Sequence, residues 1–367
     1  MKIKEQNLKS WFKSGSPWVW MTASGVSIAV IMTIGLLAVI AVRGLGHFWP
    51  ADVMEAKYQV PGEAARVMAG ELVQEEEVPR ARLAAAGLPV DVKGGEFMTR
   101  ELFKVGNREV YGADFSWVVA EWLSEPRTPA NLMAMERREW GNFYGYLVNV
   151  KEGGKVIAGG DAAWSELQSR IARVDELHAQ QVRLEKRDIG HINHGLEQLR
   201  LEGRRLELKD RLDAAAQADL DAQRAELDAQ YKGLETELVA LNQQLDRDSV
   251  TVKTVDGREQ EIALSKVVRA YQPNAMGVVS KLGFYFAKLW EFLSDEPREA
   301  NTEGGIFPAI FGTVMMTLIM AVVVTPFRLL AGIYLREYAK QGAMTRIIRI
   351  AVNNLAGVPA IVYGVFG

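Results

Sequence analysis

The chain of 367 residues is 49% hydrophobic and 24% charged, carries a formal net charge of -3 and contains no cysteine. The lack of cysteine excludes disulfides, thiolate metal sites and a cysteine nucleophile, and the slight negative charge disfavours nucleic acid as a partner. The mean hydropathy of -0.03 averages long uncharged runs with a strongly charged middle segment. We therefore do not expect a single soluble globule.

The first predicted element is a membrane-spanning helix near the N-terminus. Residues 14–42 carry no charge, and at about 1.5 Å per residue this run exceeds the roughly 30 Å hydrocarbon core of a bilayer. Trp18 and Trp20 lie at one end and Phe48 and Trp49 at the other, where aromatic rings meet the headgroups. Four lysines before residue 14 predict a cytoplasmic N-terminus. A cleaved signal peptide is the alternative, although its apolar segment would be shorter.

Two further uncharged runs lie near the C-terminus. Residues 304–327 predict a second spanning helix, and the basic residues after it predict a return to the cytoplasm. A buried helix of a soluble domain is the alternative. Residues 350–367 form the third run, which reaches the last residue of the sequence. We interpret this run as the start of a third spanning helix and expect that the chain is cut off within a larger membrane domain.

Residues 44–303 are predicted to lie outside the membrane, in the periplasm of a Gram-negative cell. From Met54 to Val156, turn sequences such as Gly106-Asn107 separate short runs rich in β-branched and aromatic residues, which predicts strands. Alternation around Asp256-Gly257 predicts a β-hairpin.

A helical arm interrupts this β-rich region. Four leucines recur at a heptad spacing, which is typical of a coiled coil: Leu220, Leu227, Leu234 and Leu241. A shorter pattern of the same kind occurs between Ala162 and Leu184. Because glycines at positions 190, 195 and 203 interrupt the region between the two patterns, we expect antiparallel helices with a turn that the sequence does not place.

An amphipathic pattern precedes the second spanning run. Between Lys281 and Leu293, apolar residues recur at spacings of three and four, with charged residues elsewhere on the helical wheel. The pattern predicts a helix that either lies in the outer interface of the membrane or packs its apolar stripe against the β-rich domain.

These elements give a domain order that alternates membrane and outer segments. We expect a cytoplasmic N-terminus (1–16), a first transmembrane helix (17–43), an extracytoplasmic β-rich region (44–161), the arm (162–247), a return hairpin with a juxtamembrane helix (248–303), a second transmembrane helix (304–335), a cytoplasmic loop (336–349) and the start of a third transmembrane helix (350–367). The predicted fold class is a polytopic α-helical membrane protein, cut off here, with an extracytoplasmic β-rich domain that carries an antiparallel coiled-coil insertion.

Motifs of enzymes and cofactor sites are missing from the sequence. It contains no P-loop, no H-E-x-x-H zinc motif and no glycine-rich dinucleotide turn. His191 and His194 are spaced to share a metal on a helix, but a third ligand with suitable spacing is not evident. We therefore expect no catalytic residue, no metal and no cofactor.

Prolines and polar residues within the C-terminal apolar segments indicate a passage through a membrane. Pro326 and Pro359 remove helical hydrogen bonds at membrane depth, which is tolerated where neighbouring helices or water satisfy the freed carbonyls. Asn353, Asn354 and Tyr363 add polar groups at or near the membrane. Taken alone, this pattern indicates a helical bundle such as a transporter.

Two segments of this region, Ile333-Tyr-Leu-Arg-Glu-Tyr-Ala339 and Asn354-Leu-Ala-Gly-Val-Pro-Ala-Ile-Val-Tyr-Gly364, resemble the PstA family, a permease subunit of the bacterial phosphate ABC importer. The resemblance covers residues 305–367, and the long outer insertion is similar to that of one subgroup of the family. It implies a type I ABC importer permease of the inner (plasma) membrane that forms half of a phosphate pathway. The implied partners are a second permease subunit (PstC-like), an ATPase subunit dimer (PstB-like), an extracytoplasmic phosphate-binding protein (PstS-like) and membrane lipid.

The sequence departs from the family pattern in two places. The cytoplasmic EAA-type loop, through which such permeases grip the ATPase, lies downstream of the matching segment and is absent from this chain. Arg328 stands where the family usually has a glycine after the proline. Its guanidinium either reaches the headgroups at the cytoplasmic end or faces the passage and attracts an anion.

The resemblance also suggests which residues contact phosphate. A passage must offset the dehydration of the ion with donors or positive charge. Arg349 is the first candidate, with Asn353, Asn354 and Tyr363 as further donors. The alternative for Arg349 is that it belongs only to the positively charged cytoplasmic flank.

A competing hypothesis is a membrane-anchored coiled-coil interaction or scaffold protein of the cell envelope. In that case the arm is the working part and the apolar helices are anchors. If the chain is a permease, we expect residues 162–247 to be dispensable for transport but needed for a partner contact outside the membrane. The alternative is that the arm only packs against its own β-rich domain.

Overall fold

A computed structural model describes residues 14–91, 95–298, 303–340 and 342–357. The chain divides into two units, Met1–Glu291 with Arg298–Glu303 and Phe292–Pro297 with Gly304–Gly367. The helices are α1 (Ser16–Gly46), α2 (Arg80–Ala85), α3 (Arg108–Tyr111), α4 (Asp161–Arg183), α5 (Gly190–Glu207), α6 (Ala214–Leu245), α7 (Val278–Ser294), α8 (Phe307–Ile333) and α9 (Ala343–Gly357). The strands are β1 (Val53–Tyr58), β2 (Arg66–Pro79), β3 (Phe97–Lys104), β4 (Phe115–Val119), β5 (Leu123–Arg127), β6 (Met133–Arg137), β7 (Phe143–Glu152), β8 (Lys155–Gly159), β9 (Asp248–Lys253), β10 (Glu259–Ala263), β11 (Val267–Tyr271), β12 (Pro297–Arg298) and β13 (Glu303–Gly304).

Two antiparallel sheets organise the first unit. The first sheet has the strand order β4-β3-β2-β1-β5, and the second has the order β10-β9-β7-β6-β11 with β8 also paired to β7. Consecutive strands pair through short connections, as at Lys253 opposite Glu259 on either side of the Asp256-Gly257 turn. Phe103 and Tyr58 of the first sheet pack with Val118 in one of its two cores.

The central strands of the second sheet are covered on both faces. Met133 and Met135 of β6 face a core that includes Leu167 of α4. Ala134 of the same strand faces a core that includes Val53 of the first sheet. Every residue of β6 is buried, because a strand between two layers has no solvent face.

The helical arm leaves and re-enters the second sheet between β8 and β9. Helix α4, a π-helical turn (Leu184–Ile189) and α5 form one continuous run, and the chain reverses only at residues 208–213 before α6 begins. The glycines within α5 do not interrupt it. A Cβ at Gly195 would lie 3.1 Å from Leu227 Cδ1, and one at Gly203 would lie 3.5 Å from Leu220 Cδ1, so the glycines allow α6 to pass close by in the antiparallel direction.

The base of the arm belongs to the core of the second sheet. One buried set of residues comes from the arm: Ala163, Leu167, Ile171, Val174, Leu177, Leu241 and Leu245. Among residues 185–240, only Ile192 is buried. The arm therefore stabilises the sheet through its base alone.

A fully buried carboxylate joins the arm base to the sheet. The Asp248 side chain is 0% exposed and accepts hydrogen bonds from Arg170 Nη1 at 3.0 Å, Arg173 Nη1 at 2.7 Å and Arg247 Nε at 3.1 Å. Glu152 balances this positive charge through Arg170 at 2.7 Å and Arg247 at 3.0 Å. The network holds both ends of the arm against β7 and β9.

Asn107 takes the place of a strand partner for β7. Its Nδ2 donates to the Tyr144 carbonyl at 2.9 Å, and the Tyr144 N–H donates to its Oδ1 at 2.8 Å. Asn107 is buried and has a φ of 52°, a left-handed conformation that asparagine tolerates better than most residues. The side-chain amide thus satisfies both backbone groups of Tyr144.

The expected fold class, a polytopic α-helical membrane protein, is wrong for this chain. Within the described ranges, two helices are long and apolar enough to cross a membrane, Ser16–Gly46 and Phe307–Tyr338 including its final π-helical turn, whereas the first unit contains two substantial antiparallel sheets. The prediction gave the apolar runs too much weight, because strand pairing between distant segments leaves a weaker sequence pattern than a long uncharged run.

Candidate functional site

The sequence-predicted site residues fall in the second unit, on α8, the π-helical turn Tyr334–Tyr338 and α9. None of the side chains of α8 is buried. Pro326 lies inside α8 and the helix continues through it to Ile333, so this proline removes one donor without ending the helix. One residue earlier, the Thr325 hydroxyl donates to the Ala321 carbonyl.

Arg349 is the predicted site residue for which the structure gives a specific contact. Its Nη2 donates to the Leu335 carbonyl at 2.8 Å, and Leu335 belongs to the π-helical turn. Nearby, the buried Thr345 donates from Oγ1 to the Lys340 carbonyl at 2.8 Å. These bonds fix the start of α9 against the segment that follows α8, and Arg349 keeps most of its five N–H donors for other groups.

The other predicted site residues are only partly described. Arg328 is exposed on α8, within a turn and a half of the end of the helix. Asn353 and Asn354 lie within α9. Pro359 and Tyr363 lie outside the described residues.

Sequence reasoning missed which face of α7 is turned toward the protein. The charged side chains of this helix form ion pairs with strand residues and with Asp52, the residue before β1. Lys281 Nζ lies 2.5 Å from Asp52 Oδ1, Lys288 pairs with Glu136, and Glu291 Oε2 lies 2.8 Å from Arg269 Nη2. The sequence feature that could have identified this face is the placement of all three charges on one side of the helical wheel.

Glu291 is held ionised by this arrangement. Burial acts to raise the pKa of Glu291, but the charges of Lys288, Arg269 and Arg298 outweigh burial and lower the pKa. Arg298 Nη2 lies 2.9 Å from Glu291 Oε1. The charged face of α7 is therefore a neutralised contact with neighbouring segments of the first unit rather than a free binding surface.

The end of α1 meets the same helix. The rings of Phe48 and Trp49 lie 6.3 Å and 6.4 Å from the ring of Tyr285, centroid to centroid. Since α1 ends at Gly46, the residues that directly follow this apolar helix share an aromatic contact with α7. The sequence pattern placed Phe48 and Trp49 near a membrane boundary but did not predict their contact with Tyr285.

In the part of the chain that the structure describes, no three His, Asp or Glu side chains are close enough together to bind a metal ion. His194 Nε2 lies 2.9 Å from Gln198 Nε2 on the exposed arm.

Comparisons with known proteins give partial matches only. The chain is 36% identical over 75 residues to a phosphate transport system permease protein PstA of Pasteurella multocida, which covers 20% of this chain and 26% of the relative. It is 40% identical over 63 residues to PstA 1 of Mycobacterium tuberculosis, covering 17% and 20%. A probable ABC transporter permease protein, YqgH of Bacillus subtilis, is 25% identical over 100 residues, covering 27% and 30%.

Other comparisons are negative. No family model matches the chain, and no solved structure matches it. The chain spans about a quarter of the length of the curated relatives it matches. Over that part, it is similar to permease proteins of phosphate transport systems.

Proposed function

We propose that this chain is a permease subunit of an ATP-driven phosphate importer in the inner membrane. The observation that carries the proposal is the 36–40% identity to proteins named as phosphate transport permeases. ATP hydrolysis then belongs to a separate PstB-like subunit. A PstC-like subunit completes the pathway, and a PstS-like binding protein delivers the anion from outside.

Two properties of the chain support a membrane location. Helices α1 and α8 are long and apolar, and none of the residues in their most hydrophobic stretches is buried in the structure. Apolar surface of this extent requires lipid or another protein to cover it. The helix of a soluble core would instead be buried among its own residues.

Arg349 is proposed to contact phosphate through donors that the Leu335 carbonyl leaves unused. The Arg349→Gln variant is expected to lower phosphate uptake by about tenfold or more, because a hydrogen bond to a charged group contributes about 1.5–3 kcal/mol. Arg349→Lys, which keeps the charge, is expected to stay within a few fold of the parent. The measurement is radiolabelled phosphate uptake by proteoliposomes that also contain the partner subunits, normalised to inserted protein.

Arg346→Gln is the matched control, since Arg346 lies one turn earlier on the same helix. If both glutamine variants lose uptake equally, Arg349 acts only as part of the positive flank. Equal loss in Arg349→Gln and Arg349→Lys would assign Arg349 to the Leu335 contact alone.

A deletion within the arm distinguishes the permease hypothesis from the scaffold hypothesis. Removing the whole arm would take seven buried residues out of the second sheet's core, so residues 162–247 cannot be deleted without loss of the fold. A sharper deletion removes residues 196–226 and joins Gly195 to Leu227, whose side chain lies beside Gly195, through a short glycine linker.

We expect this shortened chain to fold and to transport phosphate at the parental rate, because the deleted residues contain no buried side chain. Circular dichroism and uptake are measured on the same preparation, with deletion of residues 162–247 as the unfolded control. A folded short-arm protein that no longer transports would contradict the placement of the arm off the pathway.

A further inference from the structure

Helix α7 carries an amphipathic pattern whose apolar face points away from the protein. At about 100° per residue, one set of uncharged side chains falls within roughly a third of the helix circumference: Val278, Val279, Leu282, Phe286, Leu289, Trp290 and Leu293. Phe286 is 63% exposed and Trp290 is 72% exposed. A patch of this kind on a soluble surface marks a binding site for protein or membrane.

The opposite face of α7 is held by contacts with other segments of the first unit. The side chains of Lys281, Lys288 and Glu291 are only 13%, 20% and 13% exposed, and each is paired with a charge from outside the helix. Phe284 on the same side packs against Tyr271, with the two ring centroids 4.6 Å apart. The helix cannot rotate to bury its apolar face without breaking these contacts.

The position of α7 along the chain relates its apolar face to a membrane surface. Tyr285 contacts Phe48 and Trp49 just beyond the last residue of α1, at the end where aromatic residues of a spanning helix meet the headgroups. Within the second unit, the Ile306 N–H donates to the Phe292 carbonyl at 2.8 Å immediately before α8 begins.

We propose that α7 is an interfacial helix whose uncharged face, from Val278 to Leu293, lies in the headgroup and acyl boundary of the outer leaflet and docks the two-sheet unit on the lipid surface. The inference rests on the membrane location in the proposed function. We assign lipid as the partner of this uncharged face because the face lacks any charged residue, carries Phe and Trp, and lies on the helix that contacts the aromatic residues after α1. The ion pairs on the other face then hold the sheets at a fixed height above the bilayer.

Single-cysteine labelling tests this assignment without background, since the chain has no cysteine. An environment-sensitive fluorophore is placed in the full chain at Phe286→Cys or Leu282→Cys on the α7 face. Val239→Cys on α6 is the matched exposed control, because Val239 is an exposed apolar residue of the arm. Ile319→Cys in α8 reports insertion. Vesicles of phosphatidylethanolamine and phosphatidylglycerol carry doxyl-labelled lipid, and iodide is the aqueous quencher.

The expected result is severalfold stronger quenching by doxyl lipid at positions 282 and 286 than at position 239, with the reverse order for iodide. Iodide quenching at position 286 equal to that at 239 would overturn the proposal. Protection from both quenchers would also overturn it, because a second copy or another apolar helix would then cover the face. Lipid quenching at 319 without quenching at 286 refutes this inference alone, whereas its absence at both positions refutes the membrane location and the inference together.

Discussion

Replacing Asp248 with asparagine is expected to lower the free energy of unfolding of the first unit by about 3–5 kcal/mol, the usual cost of breaking a buried ion pair from one side. Asp248 accepts hydrogen bonds from Arg170, Arg173 and Arg247. A neutral amide of the same size removes the buried carboxylate that these three arginines share, so that Glu152 is left to balance Arg170 and Arg247 where the arm joins the sheet. Thermal unfolding of the full chain in detergent, followed by circular dichroism at neutral pH, measures the effect.

The same variant should change how stability depends on acid. Burial acts to raise the pKa of Asp248, but hydrogen bonds and charges from Arg247 and Arg170 lower it below the ordinary value of 3.8. A group whose pKa is depressed by folding stabilises the protein fully above its unfolded pKa and loses that contribution as pH falls through its folded pKa. The parent should therefore lose stability below about pH 4, and Asp248→Asn should lose less over that range.

Glu197→Gln serves as the control for Asp248, because Glu197 pairs with Arg200 at 2.7 Å on the exposed arm. Exposed pairs of this kind contribute little, so its melting temperature should match that of the parent. A melting temperature of Asp248→Asn equal to the parent's at neutral pH would show that the buried network does not hold the arm base.

Replacing Asn107 with alanine is expected to destabilise the first unit by at least about 3 kcal/mol, since each of two buried groups left without a partner costs about 1–3 kcal/mol. The Tyr144 N–H and carbonyl would both lose the amide of Asn107. Alanine would also have to adopt a φ near 52°, which costs a residue with a Cβ about 1–2 kcal/mol. Urea unfolding of the full chain in detergent, followed by circular dichroism, gives the change in midpoint.

Asn107→Gly separates the two contributions, because glycine adopts the left-handed conformation freely but has no amide. We expect the glycine variant to recover only the backbone part of the loss. A glycine variant as stable as the parent would mean that water or a rearranged loop satisfies Tyr144, and that Asn107 is only a turn residue.

Local sequence determined the elements whose pattern is complete within a short stretch of chain. The uncharged runs specify α1 and α8, because helix length and apolar composition do not depend on distant residues. Alternation around Asp256-Gly257 specifies the β9–β10 hairpin, since the short connection between Lys253 and Glu259 fixes the register of its strands. The roles of Arg328, Arg349, Asn353, Asn354 and Tyr363 in a phosphate pathway remain predictions that uptake measurements must test.

Tertiary structure alone decided how distant segments use the same residues. Gly106-Asn107 has the sequence of a turn, yet Asn107 is a buried partner of Tyr144, because that contact depends on a strand many residues later in the chain. The helical wheel of α7 allowed its apolar stripe to face either the sheets or the membrane. The ion pairs of Lys281, Lys288 and Glu291 turn the stripe outward, since their partners, on other segments of the chain, come together only when the two sheets have formed.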